Sequence, residues 1–331
     1  MDDTNITSLK TGFDATMATA RAFMESRAIL TAVELDLFAA VCEGSSASSV
    51  AHKIGTDPRA TEMLMNVLVT QGLLKKAEDR YALTPVAEKY LTSTSPDSAR
   101  DAIMHTVGLW NSWSTLTAAV RAGTSVAKRR RNAEETEAFI AAMHRNSLER
   151  ASVVAGALGI ARYENMLDVG GGSGGYSITF ARMNPALRSV VFDLGPVTRI
   201  ARRHIKDAGV ADRVSVKRGD FHSDPFGNGF DLVFLSAICH MNGPEENRSL
   251  FRKAFAALQP GGDLVIHDHI LNADKTAPKA GVLFALNMLV NTAAGNSYSE
   301  EEYHAWLKET GFSRIRSVPL PGATGLVVGT R

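Results

Sequence analysis

The sequence predicts an α/β fold, a mostly parallel sheet closed by an antiparallel hairpin, with a helical domain in front of it. Three observations carry this. After Tyr163, short apolar runs alternate with helical stretches, which calls for a parallel sheet with helices on both faces. The last two runs, residues 314–319 and 325–330, are separated by a turn without a helix, so they pair as an antiparallel hairpin. The N-terminal residues instead space their apolar side chains by three and four, the helical period.

From Gly12 to Cys42 the helical spacing runs through Phe13, Met17, Ala20 and Met24, then Ile29, Val33, Leu37 and Phe38, until Gly44 stops it. A Ser-rich turn leads into residues 49–55, and Asp57-Pro58 caps a helix carrying Met63, Leu64, Val67 and Leu68 that ends at Gly72. Residues 73–83, with a polar tip at Glu78-Asp79-Arg80, read as a two-stranded hairpin. Short helices followed by such a hairpin form a winged helix, a module that can read DNA. Here the third helix offers Arg59, Asn66 and Gln71 against Glu62 and large apolar residues, a poor basic face, which favours a packing or dimerisation module. Residues 99–159 are again largely helical. The run Lys128-Arg129-Arg130-Arg131 stands beside Glu134, Glu135 and Glu137 and reads as a solvated loop entering a helix. Trp110, Trp113, Phe139 and Met143 fall on apolar helical spacings, as core residues do. The sheet strands are expected at 165–169, 189–192, 214–217, 232–236 and 264–267. The domains are therefore set at 1–95, a helical segment 96–160, and 161–331.

Composition narrows the function. With 331 residues and 45% hydrophobic content, the chain is long enough for two domains with real cores. Lys and Arg total 36 against 35 Asp and Glu, so no overall field draws nucleic acid or anionic membrane. The two cysteines, Cys42 and Cys239, have no metal-ligand spacing and suit a reducing compartment, the cytoplasm. No basic-then-apolar leader is seen at the N-terminus, and no apolar run reaches the ~18 residues of a membrane span.

The strongest motif is Asp168-Val169-Gly170-Gly171-Gly172-Ser173-Gly174-Gly175, between a strand and the helix that holds residues 176–181. Gly170, Gly172 and Gly175 satisfy G-x-G-x-x-G, a turn that lets a ligand approach the backbone closely and suits NAD as well as other nucleosides. Asp168, two residues before the first glycine, shifts the reading to S-adenosylmethionine, because a carboxylate suits a methionine ammonium and not a pyrophosphate. Asp193 in Phe192-Asp193-Leu194 can accept both ribose hydroxyls, and Gly219-Asp220-Phe221 can meet the adenine amine and ring face. The closing hairpin adds to this, since dinucleotide folds usually continue with parallel units.

With these motifs, Ala32-Val33-Glu34-Leu35-Asp36-Leu37-Phe38, and Leu235-Ser236-Ala237-Ile238-Cys239-His240, the sequence resembles the two-domain class I S-adenosylmethionine-dependent O-methyltransferases of plant phenolic and bacterial natural-product pathways, over nearly its whole length. The resemblance implies a Rossmann-like catalytic domain, an N-terminal winged-helix dimerisation domain, a homodimer, and S-adenosyl-L-methionine as cofactor. It assigns Asp168, Gly170, Gly172, Asp193, Leu194, Gly219, Asp220, Phe221 and Ser236 to the donor. His240 takes the place of the family's general base, and Asp268 that of its orienting glutamate, one methylene shorter. The second acid of the family falls near Ser297, which is no carboxylate, and Met241-Asn242 replaces a common Asp-Trp pair. Acceptor contacts are implied for Trp110, Met143, Asn146, Phe284, Asn287, Met288 and Asn291, an apolar lining with a few amides. The expected partner is a small hydroxylated, aromatic or polycyclic acceptor. His267-Asp268-His269 also puts two imidazoles on one strand face in a metal-like spacing, but no third ligand follows and the family needs no metal. The alternatives are a C- or N-methyltransferase, a silent relative, or a DNA-binding sensor.

Overall fold

The computed structural model describes residues 3–127 and 133–331; within them the side-chain environments of 3–11, 133–139, 141 and 142 are not described. The basic run 128–131 therefore lies outside the described residues, and so does the side chain of Phe139. The chain divides into two compact units, Met1–Trp110 and Asn111–Arg331. Residues 96–110 go with the first unit and 111–160 with the second.

In the first unit the elements are α1 (Asp3–Arg21), α2 (Phe23–Glu34), α3 (Leu37–Ala40), α4 (Ala47–Ile54), α5 (Pro58–Thr70), β1 (Leu74–Ala77), β2 (Arg80–Leu83), α6 (Pro85–Leu91) and α7 (Arg100–Trp113), whose last turn passes into the second unit. The helical period read from Gly12 to Cys42 is thus three helices. Its break at Asp36 is a left-handed residue with φ 51°, a conformation an aspartate tolerates better than most side chains. Caps set the next two starts: the Ser46 hydroxyl accepts from the Ser49 amide, and Asp57 accepts from the Ala60 amide at 2.8 Å, with Pro58 following. On α5 the buried face is Thr61, Met65 and Leu68, while Met63 and Val67 of the expected face are exposed. β1 and β2 form the antiparallel hairpin, turning at Glu78-Asp79.

In the second unit α8 (Leu116–Ala122) and α9 (Ala133–Leu158) precede the sheet, which is built from β3 (Asn165–Val169), α10 (Gly175–Met183), β4 (Arg188–Asp193), α11 (Gly195–Asp207), β5 (Val214–Arg218), β6 (Phe230–Ser236), α12 (Pro244–Ala257) and β7 (Leu258–Asp268). β8 (Ile270–Leu271), α13 (Lys279–Asn291), β9 (Tyr298–Ser299), α14 (Glu300–Thr310), β10 (Ser313–Pro319) and β11 (Gly325–Thr330) complete it. The strand order is β10-β11-β7-β6-β3-β4-β5, parallel from β7 to β5, with β11 antiparallel to β7 and to β10.

Two features differ from the sequence reading. β7 starts at Leu258, six residues before the expected 264, because Pro260-Gly261-Gly262 stays in the sheet: the Gly261 amide donates to the Arg331 carbonyl and the Arg331 amide to Gly262, each at 2.9 Å. β8 and β9 form an extra parallel pair that ties the chain after Asp268 to the start of α14; two-residue strands have no period to read.

The twofold side-chain period sorts the sheet into its faces. Leu167, Val169, Val233, Leu235, Leu264, Ile266 and Val327 meet Leu250 and Phe251 of α12 and Tyr303, Trp306 and Leu307 of α14. Met166, Phe234, Val265 and Leu326 face Val154 and Leu158 of α9 and Tyr176 and Phe180 of α10. The parity continues into the strand ends. Asp168 falls on the α10 face and Asp268 on the other, each almost wholly buried.

Candidate active site

The polar residues singled out in the sequence collect at the carboxyl ends of the parallel strands. There the order reverses, with β4 and β5 on one side of β3 and β6 and β7 on the other, the place where open α/β sheets bind ligands. Asp168 is 1% exposed and accepts from the Ser177 hydroxyl at 2.6 Å. Burial pushes its carboxyl up to about 6, the Ser177 bond opposing and the Asp193 charge adding to the rise.

The glycine loop is shaped by contact as much as by φ. Gly170, Gly172 and Gly174 are all left-handed. A Cβ on Gly170 would lie 2.2 Å from Ile238 Cδ1, and one on Gly171 2.7 Å from the Asp168 carboxyl carbon, whereas Gly172 faces open space. The Gly172 amide donates to Asp193 Oδ2 at 2.8 Å and the Leu194 amide to Oδ1 at 2.7 Å. Burial, against these two bonds, raises the Asp193 carboxyl. Leu194, Gly219 and Asp220 line one cavity of about 370 Å³ together with Gly195, Pro196, Arg218 and Asp224. Gly219 is required there, since a Cβ would lie 2.3 Å from the Phe192 ring. Asp220 accepts from the His222 amide at 2.8 Å, and the half-buried Phe221 ring tilts against His222 at 4.4 Å.

Beyond β6, Ala237 adopts φ 56° and a short turn, Cys239–Met241, carries His240 back over the sheet end. His240 Nδ1 lies 2.7 Å from Asp268 Oδ1, and its amide donates to Oδ2 at 3.1 Å. The aspartate therefore reaches the imidazole despite its shorter side chain. Burial alone would raise the Asp268 carboxyl, but His240 and the His269 amide bring it below the ordinary value. The turn is fastened from beneath: the Asn296 amide donates to the His240 carbonyl at 2.9 Å, and Asn247 Nδ2 donates to the Cys239 carbonyl at 3.0 Å. Asn242 is part of this fastening, donating to Asn247 and accepting from the Tyr298 hydroxyl. Ser297 is buried, and its Oγ has no hydrogen-bond partner among the described residues.

Of the acceptor positions, Phe284 meets His240 edge to face, with ring centroids 4.8 Å apart. Asn287 Oδ1 accepts from Trp113 Nε1 at 3.0 Å and from Asn291 at 3.1 Å. Met288 is buried, Met143 half-buried and Asn146 exposed. Trp110 belongs to the first unit, where Phe23 tilts against it and the Arg27 guanidinium lies 5.6 Å from its ring.

Three histidines at the site were not assigned a place in it from the sequence. His267 Nδ1 meets Ser236 Oγ at 3.0 Å and the Tyr176 hydroxyl at 3.2 Å, and Nε2 meets Thr324 at 3.0 Å; burial holds its pKa down at about 4. His144 Nδ1 lies 2.7 Å from Ser173 Oγ in the glycine loop and stacks on His204 at 4.0 Å. Its pKa is likewise pushed to about 4, by burial and by His204. His269 stacks on Phe284. The alternation His267-Asp268-His269 was the available signal for two of them, and it was weighed only as a metal spacing. Among the described residues no three His, Cys, Asp or Glu side chains gather as a metal-holding group.

The sequence model of an O-methyltransferase domain matches residues 113–313, and that of an O-methyltransferase dimerisation domain matches 17–93. The chain is 32% identical over 319 residues to the 3-hydroxy-5-methyl-1-naphthoate 3-O-methyltransferase of Streptomyces sahachiroi, spanning 93% of this chain and 92% of that one. It is 29% identical over 320 residues to the tetracenomycin polyketide synthesis 8-O-methyl transferase TcmO of Streptomyces glaucescens, 94% of each chain. Among solved structures it resembles an O-methyltransferase family protein from Burkholderia thailandensis with TM-score 0.87 and 26% identity, over 96% of this chain and 98% of that one.

Gly170→Ala and Gly172→Ala separate crowding from backbone strain. Both residues are left-handed, a conformation costing a side chain roughly 1–2 kcal/mol. Only the methyl group added at position 170 must also displace Ile238. Denaturant unfolding should show the larger loss for Gly170→Ala; equal losses would contradict the close packing.

Proposed function

The chain belongs to the O-methyltransferase family, and from that premise we propose that it transfers a methyl group from S-adenosylmethionine to a hydroxyl of a small aromatic or polycyclic acceptor, with His240 as the general base. The observation that carries the reading is the buried pair of His240 and Asp268, 2.7 Å apart. A carboxylate only accepts, so the Nδ1 proton is donated to Asp268 and the lone pair is left on Nε2.

That lone pair meets a specific need. A phenol ionises near pH 10, so little of it is nucleophilic at neutral pH, and a base within hydrogen-bond reach can contribute ~10²–10⁴ in rate. S-adenosylmethionine, when bound, supplies a methyl carbon already activated by its sulfonium. The rest is placement, where near-attack positioning contributes several kcal/mol. The residues at the strand ends fit such a donor: Asp168 offers a buried carboxylate for an ammonium, Asp193 a carboxylate for ribose hydroxyls, and the cavity beside Gly219 and Asp220 room for a base. Gly170, Gly172, Leu194, Phe221 and Ser236 complete the donor set, and Phe284, Asn287, Met288, Asn291, Met143 and Asn146 the acceptor set. The relatives' printed substrates, a hydroxynaphthoate and a tetracenomycin polyketide, support a fused-ring acceptor.

A homodimer accompanies this reading. The match to a dimerisation domain covers the unit in which Phe13, Phe23 and Met24 are 64%, 50% and 57% exposed, and such a surface suits a second copy of the chain. No helix among the described residues is long and apolar enough to cross a membrane.

Transfer of labelled methyl from S-adenosylmethionine to a panel of hydroxynaphthoates and naphthols tests the reaction. The wild type should give an aryl methyl ether, and His240→Ala should cut turnover ~10²–10⁴-fold with donor affinity nearly kept. Equal loss of donor binding and turnover would remove His240 from the base role. Donor binding should also depend on pH. Asp168 holds an ammonium only as the carboxylate, and its raised pKa of about 6 means that affinity falls as pH drops through about 6. Titration calorimetry between pH 5 and 8 checks this; a flat profile would contradict it.

A further inference from the structure

His269 follows Asp268 directly, and its amide donates to Asp268 Oδ1 at 2.8 Å. Its own ring is fixed by a different partner. Nδ1 lies 3.1 Å from the Ala323 carbonyl oxygen, in the turn between β10 and β11. A carbonyl can only accept, so Nδ1 carries the hydrogen. Burial, helped by His240 and against the pull of Asp268, keeps the ring below the ordinary histidine value, so it is neutral at pH 7 and Nε2 is bare. No hydrogen bond to Nε2 is made among the described residues, although the side chain is half-buried.

One ring joins this imidazole to the catalytic pair. Phe284 stacks on His269 with centroids 4.1 Å apart and planes 28° from parallel, and meets His240 edge to face at 4.8 Å and 86°. Two imidazoles, each with Nδ1 tied to an acceptor and Nε2 free to accept, thus flank a single phenyl ring. Stacking alone requires no nitrogen at position 269, and Nε2 is not among the buried polar atoms that lack a partner, so it is an acceptor that solvent or a ligand hydroxyl can reach.

We propose that His269 is a specificity-determining residue, whose Nε2 accepts a hydrogen bond from a second hydroxyl on the methyl acceptor while His240 takes the proton from the first. The preferred substrates are then vicinal or peri diols on a fused aromatic ring, not the corresponding monophenols. The inference rests on the methyl transfer proposed above. A site built to hydrogen-bond a hydroxyl discriminates against the analogue lacking it, because its polar group is left unpaired.

The test compares 2,3-dihydroxynaphthalene with 2-naphthol, and 1,8-dihydroxynaphthalene with 1-naphthol, by steady-state methyl transfer. In the wild type kcat/KM for at least one diol should exceed that of its naphthol by about tenfold, a hydrogen bond's worth of binding, chiefly through KM. His269→Phe, which keeps the stack and removes the acceptor, should bring that ratio to about one, and His269→Gln, which restores an acceptor, should recover part of it. His269→Leu repeats the comparison should the phenylalanine variant melt early. Equal kcat/KM for diols and naphthols in the wild type, or a ratio unmoved by His269→Phe and His269→Leu, would overturn the inference and leave the reaction standing. Absence of transfer by the wild type to all four compounds, with S-adenosylmethionine bound, would count against the reaction and take the inference with it.

Discussion

The hydrogen bond between His240 and Asp268 is the constraint around which the catalytic unit is arranged. It lies almost wholly out of water, where an unpaired carboxylate would be strongly disfavoured, so both partners must be delivered accurately. β7 delivers the aspartate as its last residue, on the face opposite Asp168. The turn after β6 delivers the histidine; Asn296 and Asn247 hold that turn through its carbonyls, and Asn242 donates to the Asn247 side chain. Gly295 lets the supporting segment approach: a Cβ there would stand 2.4 Å from the His240 carbonyl oxygen.

Burial sets the charges around this pair. Burial holds both His267 and His144 at about 4, so the first can join Ser236, Tyr176 and Thr324 and the second Ser173 without adding charge at neutral pH. Asp168 is held at about 6, and is ionised at neutral pH without an ion-pair partner among the described side chains. A buried carboxylate in that condition, at a strand end beside a glycine loop, suits the ligand ammonium proposed above. In the proposed reaction, the donor would be recognised by this unbalanced charge and the acceptor by neutral rings and amides.

Much of this was legible in the sequence because it lies in short local patterns. The parallel strands are short apolar runs alternating with helices, and glycine is needed in the loop where Ile238 crowds Gly170 and after β5 where Phe192 crowds Gly219. Asp168, Asp193 and Asp268 could be placed because a strand-end position is set by the strand itself. The less legible features are those made by tertiary contact. Asp36 breaks the first helical run by a local conformation that apolar spacing does not encode. On α5, Met63 and Val67 have the right period and the wrong phase, since hydrophobicity alone does not say which stripe faces inward. The extension of β7 depends on Arg331, 73 residues from Leu258, and the fixed ring of His269 depends on a carbonyl 54 residues away. Asn242 reads as a departure from the family's pair, and its role as a fastening of the His240 turn appears only when Asn247 and Tyr298 are brought beside it.

The most direct test is nitrogen-15 NMR of the histidine side chains at pH 8, with His240 identified by substitution. His240 should carry its hydrogen on Nδ1 with Nε2 bare, and Asp268→Asn should disturb this single tautomer. A neutral His240 with its hydrogen on Nε2 would leave no lone pair for the acceptor hydroxyl and would contradict the assignment of the base.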